Sequence, residues 1–277
     1  MTAFHKLNLL NSKSLDDVLT FTKTAILPYY SAELDYITPY EIEHADKWPG
    51  EHFTYKLNKY AFRNDVDIMP NQIDLAAFGC SFTFGVGLPN QLIWPHLLAK
   101  ELNLSYLNFG VGGRSIATCV DLFLIVSKHI KIDKAVFLFP SIDRLQIAKK
   151  YPKSDGYEVF HLSVMHNYES QQNKFFEIDE KLIIRALPIE EIKKIAKNQI
   201  YLLEHMAKLR NVKVYISSWD LETYYFLRLL DLEYVLVLPP WMSGSKEFAD
   251  KDKARDNMHP GPLHHEKWFN EIKDIVK

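Results

Sequence analysis

The chain has 277 residues, 47% of them hydrophobic and 25% charged, with 33 Lys and Arg against 35 Asp and Glu. That length and apolar content suit one large α/β domain with a sizeable core. A net charge of −2, with basic residues scattered along the chain, leaves no footprint for nucleic acid. No apolar run approaches the roughly 20 residues that span a bilayer, so no membrane segment is expected.

Residues 1–70 show weak helical periodicity around Leu15 to Ile26, then an aromatic, proline-punctuated stretch from Pro28 to Phe62. They read as an N-terminal extension packed on the domain that follows at 71–277. The first thirty residues lack a basic segment followed by a continuous apolar stretch, so a secretory signal is not expected and a soluble, cytoplasmic protein is. After Asn71 the pattern alternates: strand 73–79, helix 90–103, strand 105–109, helix 114–130, strand 134–139. A stretch at about 149–187 then breaks it, with Tyr, His, Asn and Gln in place of a helical stripe. It reads as an insertion, of the kind that often covers active sites. Helix resumes near Pro188, a favourable first-turn residue, and runs to Leu209. Strand 212–217, helix 221–231, strand 234–238 and a terminal helix after Pro262 follow. The order predicts a three-layer α/β/α sandwich around a central, mainly parallel five-stranded sheet, flavodoxin-like in plan. Lys246 to Arg255, with mixed charges, reads as a solvated loop. Just before it, Trp241 is either a packing anchor or part of a substrate pocket.

Cys80 and Cys119 supply no disulfide framework and are expected to be reduced and buried. None of the eleven histidines has the spacing of HExxH or Cys-x-x-Cys metal sites. The glycine turns 85–87 and 110–113 do not form Gly-x-Gly-x-x-Gly. Neither a metal nor a nucleotide cofactor is expected. The chemistry-bearing residues are a serine and an acid-base pair. Ser81, in Gly79-Cys80-Ser81-Phe82, ends the first strong strand, where open α/β sheets place their ligand crevice. Asp256 and His259, in Asp256-Asn257-Met258-His259-Pro260, are three residues apart, so a single turn of chain can present His259 to the serine while Asp256 holds the far imidazole nitrogen. His264 and His265 offer a rival base, but adjacent residues on a helix point to different faces, so they are expected to lie behind the site or in solvent.

These motifs resemble those of the SGNH (GDSL-like) hydrolase family. Asn108-Phe109-Gly110-Val111-Gly112-Gly113-Arg114-Ser115 is similar to its second motif, and Tyr55 to Arg63 to a lead-in found in bacterial members, with Ala61 where glycine is usual. The resemblance implies Ser81 as nucleophile, His259 as base, Asp256 as its orienting acid, and the backbone N–H groups of Ser81 and Gly113 in an oxyanion hole. The third motif departs: Phe139-Pro140-Ser141-Ile142-Asp143-Arg144 places Ile142 where an asparagine donor belongs, so Ser141 or Arg144 substitutes or the hole is one donor short. Arg114 and Arg144, just past strand ends, can bind an anionic substrate or pair with Asp143. Two readings follow. One is an ester hydrolase acting on small acyl or O-acetyl esters, carbohydrate esters among them. The other is a non-catalytic SGNH-fold protein that binds carbohydrate or serves a larger assembly such as a phage particle. Self-association is compatible with either.

Overall fold

The structure, a computed structural model, describes residues 55, 57, 58 and 62–64, then 70–150, 157–163, 187–241, 252–254 and 259–277, with backbone alone for 146–150 and 157–163. Its centre is a parallel sheet of β1 (Gln72–Gly79), β2 (Tyr106–Gly110), β3 (Lys131–Phe139), β6 (Lys213–Ser218) and β7 (Val235–Val237), in the spatial order β2-β1-β3-β6-β7. This is the flavodoxin-like order, and it reverses direction between β1 and β3, which makes their carboxyl ends the switch point where such folds bind ligands.

Period-2 alternation sorts the strand residues into two cores. Phe78, Leu107, Phe109, Ala135, Phe137 and Phe139 face one layer, with α3 (Ile116–His129) and α4 (Ile189–Arg210). Leu75, Ala77, Val136 and Leu138 face the other, with α2 (Trp94–Glu101) and α6 (Pro262–Val276). Both faces are therefore covered, as a parallel sheet requires. Three strands are zipped by rings at matched register: Phe78 stacks on Phe109 at 5.1 Å and on Phe137 at 4.7 Å.

Local chemistry sets the helix ends. The Ser115 side chain accepts from the Thr118 N–H at the start of α3, and Asp220 from that of Thr223 at the start of α5 (Leu221–Arg228). Pro188 is the N-cap of α4, one residue before the predicted first turn, and Asn211 closes that helix in the left-handed region. The predicted helix at 90–103 is split into a 3-10 turn, Asn90–Leu92, and α2, because Pro95 needs a fresh helix start. The alternation breaks earlier than the sequence suggests. Residues β4 (Arg144–Lys150) and β5 (Tyr157–Ser163) form a separate antiparallel pair, beginning before the expected insertion at 149–187. Among the described residues, no helix is long and apolar enough to cross a membrane.

Candidate active site

Between β1 and the following loop, the chain makes a one-turn helix, α1 (Ser81–Phe84), closed by Gly85 at φ 78°. This turn is folded so tightly over the strand ends that side chains are excluded beneath it. A Cβ on Gly79 would fall 2.1 Å from Thr83 Oγ1, and one on Gly110 would fall 2.3 Å from Phe84 N. Asn108, buried in β2, donates from Nδ2 to the Thr83 carbonyl and accepts from Gly110 N–H, tying the second motif to the first. The lead-in residues hold the other side. Arg63 donates to the carbonyls of Phe84, Gly85 and Leu88, Tyr55 Oη accepts from Gly87 N–H at 2.7 Å, and Asn64 exchanges hydrogen bonds with the Asn108 backbone. These six contacts give Arg63, Tyr55 and Asn64 a structural role: Arg63 and Tyr55 satisfy main-chain groups of the sharp turn, and Asn64 those on the outer side of the edge strand β2.

Ser81 is thereby presented at the carboxyl end of β1, at the switch point. Its hydroxyl contacts the Cys80 sulfur at 4.0 Å and, among the described residues, does not hydrogen-bond His259. Catalytic hydrogen bonds often tighten only when substrate is present. The His259 ring stands edge-on to Phe82 at 5.7 Å, next in sequence to the serine, and Phe82 also packs on Trp219 at 5.0 Å. Asp256 lies outside the described residues. Among those described, no hydrogen bond engages the N–H of Ser81 or of Gly113. Gly113 has φ 70°, and a Cβ there would meet nothing within 4 Å, so its backbone borders open space.

In the third motif, Ile142 is turned into the core. Ile142 is 3% exposed and packs in the core with α3 and α4, and its N–H donates to Thr223 Oγ1 at 2.7 Å, which in turn donates to Asp220. The side chain has no hydrogen to donate, and the amide hydrogen is already engaged by Thr223. Ser141 is also buried. Arg144 stacks its guanidinium over Trp219 at 5.3 Å, and its Nη1 is buried without a hydrogen bond. Arg114 is buried close enough to Cys119, as Arg144 is, to oppose electrostatically the upward push that burial gives the Cys119 thiol. Cys80 and Cys119 are free and buried.

Of three expectations, two are narrowed and one is corrected. Trp241 is 2% exposed and wedged among Phe82, His265 and Trp268, as a packing anchor is. His264 and His265 are 5% and 1% exposed, buried rather than in solvent, because with Trp268, Phe269, Ile272 and Val276 they make up one broad buried face of α6, while Leu263 is exposed. His264 hydrogen-bonds Asp252 through Nδ1, and His265 Nδ1 accepts from Trp94 N–H. Burial, reinforced by His264, Arg63 and His259 nearby, holds the His265 imidazolium form well below the usual histidine range. The end of the supposedly solvated 246–255 loop is also buried, at Asp252 and Ala254. Mixed charge signals solvent only where each charge lacks a partner, and the Asp252 partner lies twelve residues away on a helix.

A cavity of about 230 Å³ lies near the amino end of β3, between the carboxyl ends of α2 and α6, lined by Glu101, Lys134, Lys273, Asp274 and Lys277 among others, remote from the strand ends that carry Ser81.

Fold and site together describe an α/β protein with a serine at the switch point and a histidine loop beside it. No protein-family model matches the chain, and no curated protein does. Solved structures of esterases, an SGNH-hydrolase family member among them, are similar in fold. A psychrotrophic esterase from Pseudoalteromonas sp. is 10% identical, with 74% of this chain and 96% of that one covered and a TM-score of 0.44. A carbohydrate esterase family 2 enzyme with a carbohydrate-binding domain, from Corynascus thermopiles, is 12% identical over 82% of this chain and 70% of its own, with a TM-score of 0.43. AlinE4, an SGNH-hydrolase family esterase, is 14% identical over 76% and 97%, with a TM-score of 0.37.

Proposed function

We propose that the protein is a serine ester hydrolase acting on small acyl or O-acetyl esters, those on carbohydrate included. The observation that supports this reading is the contact of His259 with Phe82, the residue that follows Ser81. In the proposed reaction Ser81 Oγ attacks the ester carbonyl carbon while His259 takes the hydroxyl proton, and Asp256 holds the imidazole in the right tautomer. The resulting oxyanion is held by the N–H groups of Ser81 and Gly113, with the Ser141 hydroxyl as a further donor. Collapse expels the alkoxide, which receives the proton from His259. Water then attacks the acyl-enzyme by the same route. Arg114 and Arg144 border the site as substrate-binding residues. No cofactor takes part.

The placement of Ile142 favours the second reading, a non-catalytic SGNH-fold protein that binds carbohydrate or belongs to a larger assembly such as a phage particle. An oxyanion hole short of one donor costs on the order of 100- to 1000-fold in turnover, which lowers the rate expected of the enzyme without abolishing it. Hydrolysis of p-nitrophenyl acetate by the wild type and by Ser81→Ala, His259→Ala and Asp256→Ala tests the choice. The esterase reading predicts turnover lost in the first two variants and reduced in the third. A folded wild type without turnover supports the second reading.

A further inference from the structure

Asp252 is 7% exposed, and one of its oxygens, Oδ2, accepts two hydrogen bonds at 2.7 Å, from the backbone N–H of His264 and from His264 Nδ1. The first is an otherwise orphaned donor in the opening turn of α6, so the carboxylate also sits at the positive end of that helix. The other oxygen, Oδ1, occupies space left by Gly261, where a Cβ would lie 2.2 Å from it. The backbone on either side is laddered. Gly261 N–H donates to the Asp252 carbonyl at 3.0 Å, Lys253 bridges Pro260 in antiparallel fashion, and Ala254 N–H donates to the His259 carbonyl at 2.8 Å. His265, next along α6, accepts from Trp94 N–H and meets the Trp241 ring, which fixes the helix to the rest of the domain.

His259 therefore lies on a short ladder with residues 252–254, whose base is pinned to α6 by the buried Asp252 carboxylate. We infer that Asp252 is a positioning residue: it holds His259 so that its ring stays against Phe82, the residue that follows Ser81. The catalytic consequence rests on the esterase reading, whereas the clamp itself does not. Asp252→Asn keeps the shape but lacks the charge and one acceptor capacity. Gly261→Ala keeps Asp252 but pushes its carboxylate off the helix end. Both act on the same joint by different means.

The test measures kcat and KM for p-nitrophenyl acetate in these two variants, with peptide-resolved amide hydrogen exchange at a temperature where each is folded. Misplacement of a catalytic group by about 1 Å can cost about 100-fold in rate. The expected result is a kcat lowered by roughly 10- to 100-fold with KM within about threefold, and faster exchange confined to residues 252–261. Unchanged kcat, or exchange raised throughout the domain, overturns the assignment. Should the wild type lack esterase activity, the exchange alone decides. Local loosening in both variants then upholds the clamp, and no local change overturns it.

Discussion

Phe82 and His259, from opposite ends of the chain, meet edge to face with ring centroids 5.7 Å apart. The same Phe82 ring rests on Trp219 and Trp241, so the wall behind His259 is itself backed by core. Edge-to-face pairs add about 0.5–1.5 kcal/mol beyond burial. Phe82→Ala should therefore destabilise the fold by about 2 kcal/mol, less than a fully buried phenylalanine costs, and lower kcat more than it raises KM. Urea denaturation and steady-state kinetics on the same preparation check both.

Gly110 shows how the strand end and the serine turn depend on each other. Adding a methyl group there drives it into the backbone of Phe84, which cannot yield as a flexible side chain can. Gly110→Ala is expected to cost about 1–3 kcal/mol through overpacking and to displace the turn that carries Ser81. A lowered urea midpoint with an unchanged m-value, together with slower esterase turnover, is the expected result.

Arg144 is proposed to recognise an anionic group on the substrate, since its guanidinium is held on Trp219 and the residue is only half-buried. Arg144→Ala should raise KM for mono-p-nitrophenyl adipate, which bears a carboxylate, by about 10-fold, in line with a charge-assisted hydrogen bond of about 1.4 kcal/mol or more. KM for neutral p-nitrophenyl acetate should change little.

His265 gives stability a pH dependence of defined sign. Burial first, and then His264, Arg63 and His259, depress its folded pKa well below that of the unfolded chain. Above about pH 6.5 both states are neutral and the full stability is present. Below that, the unfolded chain takes up a proton that the folded site excludes, and stability falls by up to about 1.4 kcal/mol per pH unit. Thermal melts from pH 7.5 to 5 should show this decline, and His265→Asn, whose Oδ1 can still accept from Trp94 N–H, should flatten it.

The strands, the switch-point serine and the histidine motif were legible in sequence because each depends on local pattern: period-2 apolar runs such as 73–79, a glycine where backbone crowds, and two polar residues three apart. What escaped was set by contacts across the chain. Asp252 lies in a charged stretch that reads as solvent-facing, and only its His264 partner in α6 draws it inside. The two histidines of α6 read as lying behind the site or in solvent, since adjacency alone cannot show that the buried face of a helix is broad enough to take in both. Ile142 was visible as a departure from an expected donor, yet its capture by α3 and Thr223 required the fold. One signal was present and underused. Gly261-Pro262 is a strong helix start, and a carboxylate ten residues upstream is a natural partner for the exposed N–H groups of its first turn.

The most direct test of the central claim is reaction of the purified protein with a fluorophosphonate, followed by intact-mass measurement and peptide mapping. A serine esterase of the proposed kind acquires one adduct, mapped to Ser81, and loses it in both Ser81→Ala and His259→Ala. A folded protein that stays unlabelled, or that labels at another residue with Ser81→Ala unaffected, contradicts the account.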